Sequence, residues 1–244
     1  INYIAATGWP DQVGWDNSWP ADVHWMAKEI FTRFHATLWP AMLMAADLPL
    51  PGTVIAHGWF TFGESKMSKS KGNVIAPAEL KQHFIEVAGC SPELSVDAVR
   101  FCLARSLPYE GDSNFTYDEV NKHYNSDLAN DLGNALNRTL SMAHKFVDGS
   151  VPSASCEPEG EEAIKTALAK SSDAYAAHRV DLAVEAGLDL VRWLNKYVDV
   201  RAPWNLAKNS DPSLPSVMKT MLLALRTAEG LLAPIIPTAA AGMA

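Results

Sequence analysis

Cysteine is scarce in this chain: Cys90, Cys102 and Cys156 are scattered, with no paired spacing. They form no zinc knuckle and no disulfide framework, which fits a reducing, cytoplasmic setting. Long apolar runs are missing too. Nothing approaches the ~20 residues of a membrane span. The N-terminus lacks the basic-then-apolar pattern of a signal peptide, so no membrane partner is expected. Positive charge is in short supply, with 20 Lys and Arg against 28 Asp and Glu, a formal net charge of −8. Such a chain does not coat nucleic acid nonspecifically, although basic groups converging on one face can still bind one RNA. No internal repeat, Ser/His/Asp constellation or metal-ligand spacing offers a rival active site. What remains, 244 residues of which 48% are hydrophobic, is enough for one or two globular domains.

The most informative stretch is 63–74, Gly-Glu-Ser-Lys-Met-Ser-Lys-Ser-Lys-Gly-Asn-Val. Lys66, Lys69 and Lys71 place three ammonium groups within six residues, between Gly63 and Gly72. Lysine is a movable point charge suited to phosphate oxygens, and glycine lets a loop bring backbone N–H groups close to an anion. A triphosphate losing pyrophosphate builds negative charge that such cations stabilise. A Lys/Ser cluster of this kind also suits a plain solvated loop.

Along the chain, Phe31, Phe34, Leu38 and Met42 predict a helix over 22–45, which Pro40 should kink or interrupt. Thr53-Val-Ile-Ala-His57-Gly58 follows a Pro/Gly turn and predicts a buried strand that ends at the lysine loop. Helical patches are expected at 78–84 and 96–106, where Val96, Val99 and Leu103 share a face. Residues 107–115 are rich in turn formers and mark a domain boundary. Beyond Tyr117 the strand signal disappears. Leu128, Leu132, Leu136 and Leu140 line up on one helical face. A long helix carries Val180, Val184, Leu188, Val191, Leu194 and Val198 and stops near Pro203; an apolar helix covers 217–232. The fold class is therefore α/β followed by all-α. Both ends read as cut, since Ile1 opens without a cap and the final residues read as the start of another helix.

Three groups of residues stand out for chemistry. Phe31, His35 and Trp39, at i, i+4 and i+8, project from one helix face. They suit a core stripe, or a pocket for a flexible apolar side chain containing sulfur, which aromatic edges favour by ~0.3–1.5 kcal/mol. Asn130, Asn134 and Arg138 repeat that spacing opposite the leucine face. They suit the wet side of a helix, or hydrogen bonding to splayed-out RNA bases with an aromatic ring stacked nearby. His57 and Gly58, at a strand end, are placed where an adenine or ribose would rest.

The lysine loop resembles the signature loop of the class I aminoacyl-tRNA synthetases, which several members share. Residues 19–44, Asn130-Asp-Leu-Gly-Asn-Ala-Leu-Asn-Arg138, and Asn195-Lys-Tyr-Val-Asp-Val-Arg-Ala-Pro-Trp204 look like the methionyl-tRNA synthetase family. With the loop they cover nearly the whole chain in the family's order. The resemblance implies the C-terminal part of a Rossmann-like catalytic domain at 1–62, the signature loop and its connecting region at 63–115, and a helical-bundle anticodon-binding domain at 116–244. It implies ATP contact by Lys66, Met67, Ser68, Lys69, Ser70, His57 and Gly58, with Lys66 and Lys69 catalytic. It also implies a methionine pocket of Tyr3, His35, Trp39 and Phe31, with Glu29 as polar partner. Anticodon reading would fall to Asn134, Arg138 and Trp204, and the partners would be tRNA(Met), methionine and ATP with Mg2+. The His-Ile-Gly-His type motif and any zinc belong to the family's N-terminal part, and no His-x-Gly-His string occurs here. Two departures stand out: Ala27 replaces a usual glycine, and 28–35 holds one residue more than the family pattern. Alternatives are a synthetase for Leu, Ile, Val or Cys, or a non-catalytic tRNA-binding module.

Overall fold

The computed structural model describes residues 2–62, 74–107 and 109–243, and the backbone of 65–66. Two compact units divide the chain: Ile1–Lys66 with Leu107–Asn114, and Met67–Ser106 with Phe115–Ala244. Among the described residues no helix is long and apolar enough to cross a membrane.

The first unit mixes strands and helices. After a short helix α1 (Asn2–Ala5), the strand β1 (Val23–Ala27) pairs in parallel with β2 (Thr53–His57), with His24 opposite Val54. Parallel strands need a crossover, and here it is helical. A 3-10 turn (Lys28–Ile30) leads into a π-helical stretch (Phe31–Leu38), which continues as α2 (Trp39–Ala45). The single helix expected over 22–45 is therefore wrong in its first third. In β1, His24 and Met26 are buried while Trp25 points outward, the period-2 pattern of a strand. Pro40 stands in the first turn of α2, where its missing N–H is tolerated. The interruption expected there takes the form of a change in helix type. The exposed stripe on this helix is Phe34, Leu38 and Met42, whereas His35, Trp39 and Leu43 are buried. Ile4, Trp19, Trp39 and Leu43 form this unit's core, and the Trp19 indole N–H donates to the Pro49 carbonyl at 2.9 Å.

Strand β3 (Phe60–Phe62) pairs antiparallel with β4 (Ser65–Lys66) and parallel with β5 (Ser113–Asn114). The segment 107–115, expected as a turn-rich connection, thus also contributes a strand.

Among the described residues the second unit contains helices and no strand: α3 (Pro77–Ala88), α4 (Pro92–Ser106), α5 (Tyr117–His123), a π-helical stretch (Tyr124–Leu132) and α6 (Gly133–Val147). Then follow α7 (Pro158–Ala176), α8 (Val180–Arg201), α9 (Pro203–Lys208), α10 (Leu214–Leu232) and α11 (Pro237–Met243). Helix α8 is the central element, packed on α4, α6, α7 and α10. Its expected apolar face is buried through Val184, Leu188, Val191, Leu194 and Val198.

Two expected faces are corrected. Helix α4 lies between α3, α8 and α11, so it buries Ala98, Val99, Phe101 and Cys102 around its circumference and leaves Val96 exposed. Of the leucine row, Leu128, Leu132 and Leu136 line one cavity, whereas Leu140 leaves the row within α6, because a spacing of four drifts around a 3.6-residue helix. The buried row is Asp127, Leu132, Ala135, Thr139 and Ala143, and Leu140 is exposed.

Asp127 anchors the π stretch. Its carboxylate meets Arg105 of α4 at 3.2 Å and Arg192 of α8 at 3.1 Å, with His123 at 3.6 Å. Burial works against its charge, but hydrogen bonds from His123 and Arg105 and the two guanidinium charges outweigh it, holding the carboxyl at about 2. A depressed carboxyl stabilises the fold above its ordinary value of 3.8, and that contribution fades as pH falls toward 2. Asp127→Ala should lower stability by about 2 kcal/mol at neutral pH, because Arg105 and Arg192 each lose a charged hydrogen-bond partner while keeping Glu185 and, for Arg192, Asp131. Urea unfolding at pH 7 and pH 3 checks this; the gap between variant and unmodified protein should narrow at pH 3.

Candidate functional site

A cavity of about 550 Å3 opens on the π stretch and α2, lined by Tyr3, Ile30, Phe34, His35, Leu38, Trp39, Met42 and Asn2. The π geometry sets its polar end. The Ile30 carbonyl can only accept, so His35 Nδ1 donates to it across five residues at 2.9 Å. In the neutral ring Nε2 is then an acceptor, and the Tyr3 hydroxyl donates to it at 2.8 Å. Tyr3 also stands edge-on to Trp39, with ring centroids 5.8 Å apart. The structure thus brings together three of the four expected pocket residues, Tyr3, His35 and Trp39. Phe31 is not among the lining residues; Ile30 and Phe34 are. An α-helical spacing of four picks Phe31, whereas π turns carry five-residue hydrogen bonds and place Ile30 beneath His35.

Sequence reasoning missed His24. It is buried in β1 and accepts a hydrogen bond from the Trp39 indole at 3.1 Å. Burial and the nearby His35 push its pKa below the ordinary 6.5. The alternation His24, Met26 was the available signal, and it was hidden under a predicted helix.

A second cluster surrounds the end of β2. His57 Nδ1 donates to the Gly58 carbonyl at 2.7 Å. Lys28 Nζ lies 4.5 Å over the Trp59 ring and 2.6 Å from Asp112, whose carboxylate also accepts the Trp59 backbone N–H at 2.8 Å. The Trp59 indole donates to Glu29, so Glu29 faces this cluster. A Cβ at Gly58 would fall 1.5 Å from the Gly111 carbonyl oxygen, so only glycine fits where the two loops meet. The side chain of Lys66, and all of Met67, Ser68, Lys69 and Ser70, lie outside the described residues.

On the helical unit, Asn134 donates to Asn195 at 3.2 Å, and Asn195 donates to the Asp131 carbonyl at 2.9 Å. Arg138 pairs with Asp199 at 2.5 Å. Asn130 is exposed in the π stretch, whereas Asn134 and Arg138 lie on α6. Trp204 is 44% exposed on α9, which packs beside α6. Helix α8 stops at Ala202 in a left-handed turn, φ 43°, and Pro203 starts α9 at once, which fixes the backbone under Trp204. Glu157 accepts from Tyr197 at 2.6 Å and from Arg201 at 2.5 Å, bracing that end of α8. Among the described residues no group of three His, Cys, Asp or Glu is placed to hold a metal ion.

The model of the tRNA synthetases class I (M) matches residues 1–140. The chain belongs to this family, that of the methionyl-tRNA synthetases. It is 39% identical to the methionine–tRNA ligase of Halalkalibacterium halodurans, over 98% of this chain and 36% of that one. It is 40% identical to the methionine–tRNA ligase of Enterococcus faecalis, over 96% of this chain and 35% of that one. The structure of Mycobacterium tuberculosis methionyl-tRNA synthetase bound by methionyl-adenylate superposes with a TM-score of 0.83 at 34% identity, over 99% of this chain and 47% of that one. The chain therefore spans about a third of the length of the curated relatives it matches.

Gly58→Ala should destabilise this synthetase chain by about 3 kcal/mol, because overpacking against a backbone oxygen cannot relax by rotating a side chain. Thermal unfolding measures the loss, and an unchanged midpoint would disprove the close approach.

Proposed function

We propose that this chain is the part of a methionine–tRNA ligase that walls one side of the methionine pocket, supplies the lysine loop for ATP and reads the anticodon. The observation that carries this reading is the cavity in which Tyr3 and His35 share a hydrogen bond beside Trp39. A flexible thioether suits these aromatic edges, with Phe34, Leu38 and Met42 as adaptable apolar walls. The methionyl-adenylate bound by the M. tuberculosis relative supports the assignment.

In the proposed first step the methionine carboxylate attacks the α-phosphorus of ATP. The bond to the pyrophosphate oxygen breaks, leaving methionyl-adenylate. The terminal ribose hydroxyl of tRNA(Met) then displaces AMP. Both steps depend on positioning and on neutralising charge, and neither needs a covalent bond to the protein. Lys66 and Lys69 are assigned to the phosphates, with Ser68 and Ser70 as hydroxyl donors and Met67 as the loop's apolar anchor. His57 and Gly58 are assigned to the nucleoside. Magnesium arrives with ATP as part of the substrate.

Residues 116–244 are assigned to the anticodon, with Asn134 and Arg138 on base edges and Trp204 as a stacking platform. Because Asn134 and Arg138 are paired to Asn195 and Asp199, RNA contact exchanges those bonds rather than meeting bare groups.

In the complete protein that contains this chain, Lys66→Ala should lower the turnover of methionine-dependent pyrophosphate exchange far more than it raises the methionine KM, as a cation acting in the transition state requires. Unchanged turnover with weakened methionine binding would reject the loop assignment. For RNA, Trp204→Ala should weaken binding of a CAU anticodon arm by about 1–3 kcal/mol, and Asn134→Ala should narrow the preference for CAU over an altered anticodon. Filter binding at fixed salt measures both; selectivity that survives both changes would show that other residues read the anticodon.

A further inference from the structure

An indole N–H can only donate, and Trp39 is 7% exposed, so its N–H must find an acceptor inside the protein. That acceptor is His24 Nε2 at 3.1 Å. The assignment fixes the tautomer: Nε2 carries no proton, and the ring's proton sits on Nδ1. His24 itself does not line the cavity. It lies behind it, within an aromatic cluster, with ring centroids 4.8 Å from Tyr3, 5.8 Å from Trp19, 6.2 Å from His35 and 6.4 Å from Trp39.

We infer that His24 is a positioning residue for the methionine pocket, acting through Trp39: the uncharged Nε2 holds the indole at the angle that makes its ring a cavity wall. The inference rests on the methionine reading above and deepens it. Trp39 ring and Tyr3 ring meet edge to face, so a rotation of the indole that seeks another acceptor also disturbs the Tyr3–His35 hydrogen bond. Packing alone does not prevent that rotation, because a histidine of the same shape with its Nε2 protonated opposes one N–H to another. Burial disfavours the charged, doubly protonated ring, in line with the lowered pKa, and the Trp39 N–H selects the Nδ1-protonated form of the neutral ring. The ionisable groups facing His24 are Tyr3 from α1 and His35 from the π stretch. Its partner in β2, Val54, carries no charge.

The test uses the complete protein with 15N-labelled tryptophan and the variants His24→Leu, His24→Gln and Trp39→Phe. Glutamine presents an amide oxygen near the position of Nε2, whereas leucine fills the space without an acceptor. In His24→Leu the indole N–H resonance, assigned by its loss in Trp39→Phe, should move, and in His24→Gln it should stay near its original position. His24→Leu should raise the methionine KM about tenfold, the size of one lost buried hydrogen bond, with a smaller change in kcat and in the ATP KM. In the Trp39→Phe background, where no N–H remains to hold, the same change should raise the methionine KM less than twofold. An indole resonance indifferent to His24→Leu would overturn the inference, as would an equal KM loss in both backgrounds, which marks His24 as packing only. An unmodified protein that does not turn over methionine would overturn the pocket reading, and with it the positioning role, even if the indole resonance moves as expected.

Discussion

One extra residue in each backbone hydrogen-bonded ring decides what the first unit can do. Between Phe31 and Leu38 the backbone bonds run over five residues, and this rotates the following side chains relative to an α-helix. The result is that His35 reaches back to the Ile30 carbonyl with one nitrogen and presents the other to Tyr3. The helix then returns to α geometry at Trp39, whose indole turns inward onto β1.

The second unit repeats the device. Tyr124–Leu132 is π-helical and stands immediately before α6, which carries Asn134 and Arg138. Here ionic anchors supply the constraint. Asp127 at its centre is gripped by Arg105 and Arg192, which also pair with Glu185. An isolated buried carboxylate would be costly, but two guanidinium groups and a histidine satisfy it. Several arginines of this acidic chain are likewise held by its own carboxylates: Arg201 pairs with Glu157 and Arg138 with Asp199. For the proposed anticodon role, such a unit would rely on amide groups and an exposed indole more than on net charge.

The cluster at the end of β2 has another physical basis. Gly58 lies so close to the Gly111 carbonyl that no side chain fits at position 58, and Asp112, next to Gly111, binds both the Trp59 backbone and Lys28. The lysine in turn covers the indole face at 4.5 Å, a cation–π contact that orders the ring. Strand β5 joins β3 at this point, so the loop 107–114 is tied into the first unit although it follows two helices of the second.

Local signals in the sequence settled a good part of this architecture. The strand Thr53–His57, helix α8 and helix α10 each follow from an apolar pattern bounded by proline or glycine; the two helices bury a continuous face, whereas the strand, expected as buried, is half-buried along its length. His35 and Trp39 were legible as neighbours, since a spacing of four survives near the return to α geometry. Tertiary structure alone decided the rest. Periodicity cannot distinguish α from π turns over two repeats, so a spacing of four selects Phe31 where Ile30 and Phe34 line the cavity. Only the alternation of His24 and Met26 marks Val23–Ala27 as a strand locally, and its pairing partner lies thirty residues on. The role of His24 depends on that pairing: only the parallel register with β2 sets its ring behind Trp39, where an indole proton needs an acceptor.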